Sequence, residues 1–175
     1  MPARMKIQAV LLLAALVPAA AFAAPARTMR LDYFHTGNAS GETFSIDRVV
    51  REPLPWPGNP RRPFDESNLG KYFFIVFDRA TNRPIYSRGF ASVYGEWETT
   101  DEAKTVKRTF QESLRFPAPT APVNIVLKKR DPKNAFVDIW TTTIDPADQF
   151  IDRSKPVAPR TAHHDPKDWR SRDKS

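Results

Sequence analysis

The sequence contains no cysteine, only three histidines and only six glycines among its 175 residues. Without cysteine the chain has no disulfide and no thiolate ligand, so its stability must come from a packed core. The three histidines form no H-E-x-x-H pattern, which leaves zinc hydrolysis without its usual ligands. The glycines are scattered at turns and form no phosphate-binding loop. We therefore expect no metal and no cofactor on this chain.

The sequence also lacks an apolar run long enough to cross a membrane. Its main apolar segment, 7–17, follows Arg4 and Lys6 and is shorter than the roughly 20 residues that a spanning helix needs. Small residues come next, and an A-x-A cleavage motif ends at Ala23. The pattern predicts a secretory signal peptide over residues 1–23 and an exported protein, periplasmic or extracellular. A retained N-terminal anchor is the alternative, which the short apolar segment disfavours.

Positive charge is concentrated near the C-terminal end. The formal net charge is +7 and falls to +5 when Arg4 and Lys6 leave with the signal peptide. Residues 153–175 hold seven lysines and arginines against three aspartates, so the rest of the mature chain is almost neutral. No aromatic-and-basic recognition motif accompanies this charge, and we expect no nucleic-acid binding. Because residues 153–175 have almost no aliphatic side chains, they are predicted to be a basic, disordered tail.

Residues 24–152 predict a single all-β domain. Seventeen prolines make long helices improbable, and short apolar or alternating segments are separated by turn-forming residues. About seven segments fit strands, the number expected of an antiparallel β-sandwich. The segment 71–78 is apolar at both parities, which favours a central strand covered on both faces. The expected strands are 29–35, 43–50, 71–78, 84–87, 106–116, 123–129 and 136–144.

Three stretches between these strands have their own predictions. Residues 52–66 contain five prolines and are expected to form a loop. Residues 90–97 are expected to continue as a strand or as irregular extended chain. One short helical turn is predicted at 102–104, where Thr99 or Thr100 could cap the exposed backbone amides.

Three patterns could carry chemistry, and each has a structural alternative. His35 could act as a lone acid or base, but a hydrogen-bonded structural histidine is favoured because no nucleophile motif accompanies it. Glu96 and Glu98 would share one face of a strand, as an acid and base pair does, yet such spacing is common on solvated faces. The sequence HHD at 163–165 lies in the predicted tail, where adjacent side chains diverge. We therefore expect no catalytic residue.

Three aromatic residues form the candidate interface. Trp56 lies in the proline-rich stretch, while Tyr94 and Trp97 lie close together before the predicted helical turn. Exposed together, they could form a platform for a sugar or a protein partner. The favoured alternative is that they cover the ends of the sandwich core, because large aromatic side chains usually dominate burial.

Seven separate blocks of this sequence are distinctive. They are LDYFHTGN at 31–38, WPGNP at 56–60, LGKY at 69–72, YSRGFA at 86–91, YGEWET at 94–99, TFQESLRFP at 109–117 and VLKKRD at 126–131. In this order the blocks resemble the N-terminal domain of the zinc peptidases of family M64, the immunoglobulin A peptidase type, and the resemblance runs from about residue 28 to 152. The resemblance implies a β-sandwich accessory domain of a secreted or periplasmic zinc peptidase whose separate C-terminal domain carries an H-E-x-x-H site.

The sequence departs from this family arrangement after Asp152, where a linker to the metallopeptidase domain is expected and a short basic segment follows instead. No catalytic or zinc residue can therefore be carried over from the family. We expect a non-catalytic accessory or interaction domain, as a truncated or stand-alone copy, whose partner is a metallopeptidase catalytic domain or another protein ligand. The alternative is a carbohydrate- or ligand-binding module of an exported protein.

Overall fold

The computed structural model describes residues 26–153, so the predicted signal peptide and the tail beyond Arg153 lie outside the described residues. The elements are β1 (Arg27–Asn38), β2 (Gly41–Pro55), β3 (Tyr72–Asp78), β4 (Pro84–Phe90), α1 (Val93–Trp97), a 3-10 turn (Glu102–Lys104), β5 (Arg108–Pro117), β6 (Val123–Arg130) and β7 (Phe136–Ile144). The strands form two antiparallel sheets with strand orders β2-β1-β5 and β4-β3-β6-β7, which confirms the predicted all-β fold of seven strands. No helix within the described range is long and apolar enough to cross a membrane.

Alternation along the strands builds the core between the two sheets. On β1, the side chains of Met29, Leu31 and Tyr33 point inward and are fully buried, because every second residue of a strand faces the same side. Full burial of each aliphatic side chain contributes about 1.5–3 kcal/mol of transfer free energy. The core cluster comprises Met29, Leu31, Tyr33, Phe74, Val76, Tyr86, Leu114, Phe116, Val123, Ile125, Leu127, Ile144 and Ile151.

Strand β3 lies inside the second sheet, between β4 and β6, as its apolar sequence predicts. Its inner residues are buried, whereas the outer residues Phe73, Ile75 and Phe77 are only half-buried. Phe73 packs against the ring of Phe136, with 5.1 Å between ring centroids. The outer face of β3 is therefore partly covered, and the expectation that both faces are fully covered is wrong.

Strand β2 continues to Pro55, although the proline-rich stretch was expected to be a loop from residue 52. Both Pro53 and Pro55 belong to this strand, and β2 is an edge strand of its sheet. An edge strand tolerates proline because the missing backbone N–H need not complete a ladder on its free side. The loop therefore begins only at Trp56.

Residues 90–97 are expected to be extended, but only Phe90 is in a strand, and Val93–Trp97 form α1 instead. The Ser92 side chain caps this helix by accepting a hydrogen bond of 2.8 Å from the Gly95 N–H. This bond satisfies a backbone donor that would otherwise lack a partner in the first turn. The short turn predicted at 102–104 is confirmed as a 3-10 turn, where the Thr100 hydroxyl accepts from the Ala103 N–H at 3.4 Å.

Gly37 is packed where the β1–β2 hairpin meets α1, and its replacement by alanine tests that packing. A Cβ atom there would overlap the Gly41 carbonyl oxygen and the Tyr94 hydroxyl, whereas a Cβ at Gly41 would meet nothing within 4 Å. We expect Gly37→Ala to lower the free energy of unfolding by about 1–3 kcal/mol, since overpacking displaces backbone. Gly41→Ala, the matched control, should change it by less than about 0.5 kcal/mol. Urea denaturation measures both, and equal losses would contradict the packing.

Candidate functional site

His35 lies on the inner face of β1 and is fully buried between two carboxylates. Its Nδ1 atom is 3.1 Å from Oε2 of Glu112 on β5, and its Nε2 atom is 2.7 Å from Oε2 of Glu42 on β2. The strand registers explain this meeting, because Glu112 lies opposite Tyr33 and Glu42 lies opposite Gly37. Each carboxylate is thus two positions from His35 along the same face of the sheet.

The second sheet supplies lysines to the same carboxylates. The Nζ atom of Lys129 on β6 lies 2.6 Å from Oε1 of Glu42 and 2.7 Å from Oε2 of Glu98. Glu98 follows α1 directly, and its other oxygen lies 2.6 Å from Nζ of Lys71, just before β3. These ion pairs join the first sheet, the second sheet and α1 through side chains that are mostly buried.

Tyr94 closes the cluster from the helix side. Its ring stacks on the His35 ring, with 3.7 Å between centroids and an interplanar angle of 21°. Its backbone N–H donates to Oε1 of Glu112 at 3.2 Å, and its hydroxyl donates to the Asn38 carbonyl at 2.9 Å. Burial raises the pKa of Tyr94, so the hydroxyl stays protonated and remains a donor.

Two further tyrosines donate to the carboxylates. The Tyr33 hydroxyl donates to Oε2 of Glu112 at 2.9 Å, and the Tyr72 hydroxyl donates to Oε2 of Glu42 at 3.3 Å. Burial and the neighbouring carboxylates raise the pKa of both tyrosines, so both remain neutral donors. We call this assembly the buried ion network, and its members are Tyr33, His35, Glu42, Lys71, Tyr72, Tyr94, Glu98, Glu112 and Lys129.

The His35 ring is protonated in this setting. Burial lowers the pKa of His35, but hydrogen bonds to Glu112 and Glu42 outweigh burial and raise it above 6.5. Geometry leads to the same charge state, since both ring nitrogens face carboxylates and a neutral imidazole carries only one N–H. Below this raised pKa His35 is therefore an imidazolium that donates from both nitrogens.

The carboxylates on either side are ionised. Burial raises the pKa of Glu42, but hydrogen bonds from His35 and Lys129 outweigh it and hold the pKa below 4.5. Burial also raises the pKa of Glu112, but hydrogen bonds from His35, from a backbone N–H and from a tyrosine hydroxyl hold it below 4.5. With three carboxylates and three cations, the buried ion network is electrically neutral.

The buried polar atoms of the buried ion network are all paired. Within residues 26–153, every buried side-chain nitrogen or oxygen has a hydrogen-bond partner. The same range holds no group of three or more histidine, aspartate or glutamate side chains arranged to bind a metal ion. The HHD sequence at 163–165 lies outside the described residues. The arrangement therefore joins the two sheets through side chains that are already paired with one another.

The acid and base interpretation of Glu96 and Glu98 is wrong in its geometry. The two residues do not lie on a strand, because Glu96 is in α1 and Glu98 is its C-terminal cap. Glu96 is exposed to solvent, whereas the Glu98 side chain is only 10% exposed and is paired with two lysines. The helix separates two carboxylates that an extended chain would have placed side by side.

The candidate interface residues Trp56, Tyr94 and Trp97 do not share one surface. Tyr94 is fully buried in the network, and half-buried Trp97 packs on it with 5.7 Å between ring centroids. Half-buried Trp56 lies at the opposite end, where its N–H donates to the Ala26 carbonyl just before β1. Trp56 lies at the start of β1 and Tyr94 lies at its end, beside Asn38. The length of β1, at about 3.3 Å per residue, therefore separates these two side chains. The three rings lie at the two ends of the sandwich core.

Several members of the buried ion network were not singled out by the sequence analysis. Glu112 carries a usable signal, because it shares the parity of Phe110, Leu114 and Phe116 in an alternating strand and must therefore point inward. Glu42 and Lys129 give no comparable signal, since one lies at a turn and the other in a basic pair at a strand end. Only the register and the facing of the two sheets bring them together.

These features define an antiparallel β-sandwich domain whose ends are closed by aromatic rings and whose inner charges are paired with one another. The family model described as "Peptidase M64 N-terminus" matches residues 21–141. The chain therefore belongs to that family, and the matched part is the N-terminal domain rather than the catalytic part of such peptidases. The comparison with curated proteins gave no match.

Removal of the imidazolium tests how much the buried ion network contributes to stability. His35→Leu would leave Glu42 and Glu112 buried without their shared cation, and we expect a loss of about 3–5 kcal/mol in the free energy of unfolding. Lys104→Leu removes a cation from the exposed pair with Asp101 and should cost less than about 1 kcal/mol. If His35→Leu does not fold, the double variant H35Q/E112Q replaces it. This double variant should be more stable than His35→Gln alone, because it also removes one of the two carboxylates left without a cation. Comparable losses in the two leucine variants would refute the role.

The same groups predict how stability depends on pH. Glu42 and Glu112 contribute fully to the free energy of unfolding above pH 4.5, and this contribution is lost as pH falls through their lowered pKa values in the folded state. His35 contributes fully below pH 6.5, and its contribution is lost as pH rises through its raised pKa in the folded state. Stability should therefore be greatest between pH 4.5 and 6.5, as measured by urea midpoints at a series of pH values. In His35→Gln, the loss of stability above pH 6.5 should disappear while the loss at acidic pH remains. If the loss above pH 6.5 is unchanged in this variant, groups other than His35 cause it.

Proposed function

We propose that this chain is a non-catalytic accessory domain of an exported protein and that it binds an M64-type metallopeptidase catalytic domain. The family match supports the association with that peptidase class. One observation carries the non-catalytic part of the proposal. Within residues 26–153 the one histidine is His35. It is fully buried and has carboxylates at both ring nitrogens.

A catalytic histidine must reach the substrate or a water molecule that attacks it, at hydrogen-bond distance. Metal-assisted hydrolysis needs a coordination position that stays open for water or substrate. In the buried ion network, the ring nitrogens are occupied by Glu42 and Glu112, and Tyr94 covers the face of the ring. These contacts favour a stabilising role, which is what an accessory domain requires of its core.

The first test is an assay for zinc-dependent proteolysis. The purified protein is incubated with casein and with immunoglobulin A, with zinc and with a chelator, beside an intact M64 peptidase as positive control. We expect no cleavage by this chain and no change of its melting temperature with zinc. A zinc-dependent cleavage that copurifies with the chain and disappears with the chelator would overturn the non-catalytic proposal.

The second test concerns the partner. A separately expressed M64 catalytic domain is mixed with the chain and analysed by size-exclusion chromatography with light scattering. We expect coelution at the summed mass, whereas an unrelated zinc peptidase of similar size, as control, should elute separately. Failure to coelute with M64 catalytic domains would overturn the proposed partner but not the non-catalytic character.

A further inference from the structure

A second concentration of charge lies beside the edge strand β4, and it differs from the buried ion network in being open to solvent. A cavity of about 730 Å³ lies between the segment 59–67 and residues 86–88 of β4. Arg61, Arg62 and Arg88 line this cavity, and all three are exposed. We call it the arginine cleft.

Among the described residues, no carboxylate lies within ion-pair distance of the three guanidinium groups of the arginine cleft, although Arg88 attracts the nearby Asp65 carboxylate. Among residues 26–153, the arginines that form ion pairs are Arg30, Arg48, Arg108 and Arg115. The cleft arginines form none, although their positions are close together.

The carboxylates of the cleft are Asp65 and Glu66, and Asp65 is already used by the fold. Its Oδ1 atom accepts from the Ser67 N–H at 2.9 Å and its Oδ2 atom accepts from the Gly89 N–H at 2.9 Å. Hydrogen bonds from Ser67 and Gly89, with the attraction of Arg88, hold the pKa of Asp65 below 3.8. Asp65 therefore fastens the loop to β4, and the three guanidinium groups of the cleft outnumber its two carboxylates.

The loop that carries Arg61 and Arg62 is held in place before any ligand arrives. The Asn59 side-chain oxygen accepts from the Arg61 N–H at 2.9 Å, and the Asn59 carbonyl accepts from the Arg62 N–H at 3.1 Å. Further along, the Ser87 N–H of β4 donates to the Pro63 carbonyl at 3.0 Å. A fixed loop loses little conformational entropy on binding, which favours recognition by these arginines.

Apolar surface continues directly from the arginines. An adjoining cavity of about 410 Å³ is lined by Trp56, Ile85 and Tyr86, and the rings of Trp56 and Tyr86 meet edge to face at 5.6 Å. Phe64, in the wall of the arginine cleft, is 44% exposed, and Ile85 is 40% exposed. Guanidinium groups and apolar side chains therefore line adjoining cavities.

We propose that the arginine cleft binds an acidic peptide segment of a partner protein. Carboxylates of that segment pair with Arg61, Arg62 and Arg88, since the planar guanidinium matches a carboxylate in two parallel hydrogen bonds. Apolar side chains of the segment lie against Trp56 and Ile85. This inference rests on the proposed function as an interaction domain and names the chemistry of the segment that it recognises.

A mixed segment fits the cleft better than a uniform polyanion does. Glu66 and Asp65 stand beside the arginines and repel a densely charged chain such as a nucleic-acid backbone. The apolar cavity would also remain unfilled by such a ligand. A peptide that alternates carboxylates with aromatic side chains satisfies both parts of the surface.

The test uses the purified protein and a fluorescein-labelled peptide of sequence EEFEEFEE in fluorescence anisotropy at low salt. We expect saturable binding. The affinity should weaken at least about tenfold in the double variant R61E/R62E, because this variant replaces two positive charges that attract the glutamates of the peptide with negative ones. The control R79E/R83E reverses two exposed arginines in the turn between β3 and β4 and should change binding less than about twofold. The melting temperatures of both variants should match that of the parent protein.

Three outcomes would overturn the inference: no saturable binding, an equal loss in both double variants, or tighter binding of KKFKKFKK or of a labelled single-stranded DNA. Failure here can be separated from failure of the proposed function. Coelution with an M64 catalytic domain that persists in R61E/R62E would keep the interaction domain and reject this cleft as its binding surface.

Discussion

Charge balance inside the sandwich is the constraint on which the rest of this structure depends. A buried imidazolium at His35 is tolerable only while carboxylates from both neighbouring strands contact it. Glu42 and Glu112 reach it because the pairings of β1 with β2 and with β5 set them two positions along the same face. A slip of one residue in either pairing would turn one carboxylate outward, so the charges specify the strand register.

The same charges specify how the two sheets face each other. Apolar contacts of the core have no preferred direction and tolerate small shifts between sheets. The contacts of Lys129 with Glu42 and Glu98 have fixed distances and join β6 to β2 and to the end of α1. The placement of the sheets that keeps these contacts also stacks Tyr94 on His35, so the helix, both sheets and the hairpin are fixed together.

The fold was predictable from the sequence where local pattern decides it. Alternation and turn residues located all seven strands, and the apolar run of β3 located it inside its sheet. Pattern failed where a tertiary contact decides, since the strand through Pro53 and Pro55 depends on β2 being an edge. Pattern also failed at α1, although its cap at Ser92 is a local contact that the sequence contains.

The buried ion network was less predictable than the fold, since its members come from five strands and one helix end. His35 was recognised as a residue of interest, and the inward parity of Glu112 could have identified a second member. Glu98 was assigned to a strand face, and its pairing with Lys71 and Lys129 became visible only with the helix in place.

The two ends of the sandwich use charge in opposite ways, and this difference separates stability from recognition. At the end near Asn38, carboxylates and cations are buried against each other, so none is left for a partner. At the end near Trp56, Arg61 and Arg62 are exposed on a fastened loop and form no ion pair among the described residues. A charge that is already paired in the folded state gains little from a new ligand, whereas an unpaired guanidinium gains a partner on binding. The charges that fix the strand register are therefore different from the charges that face outward.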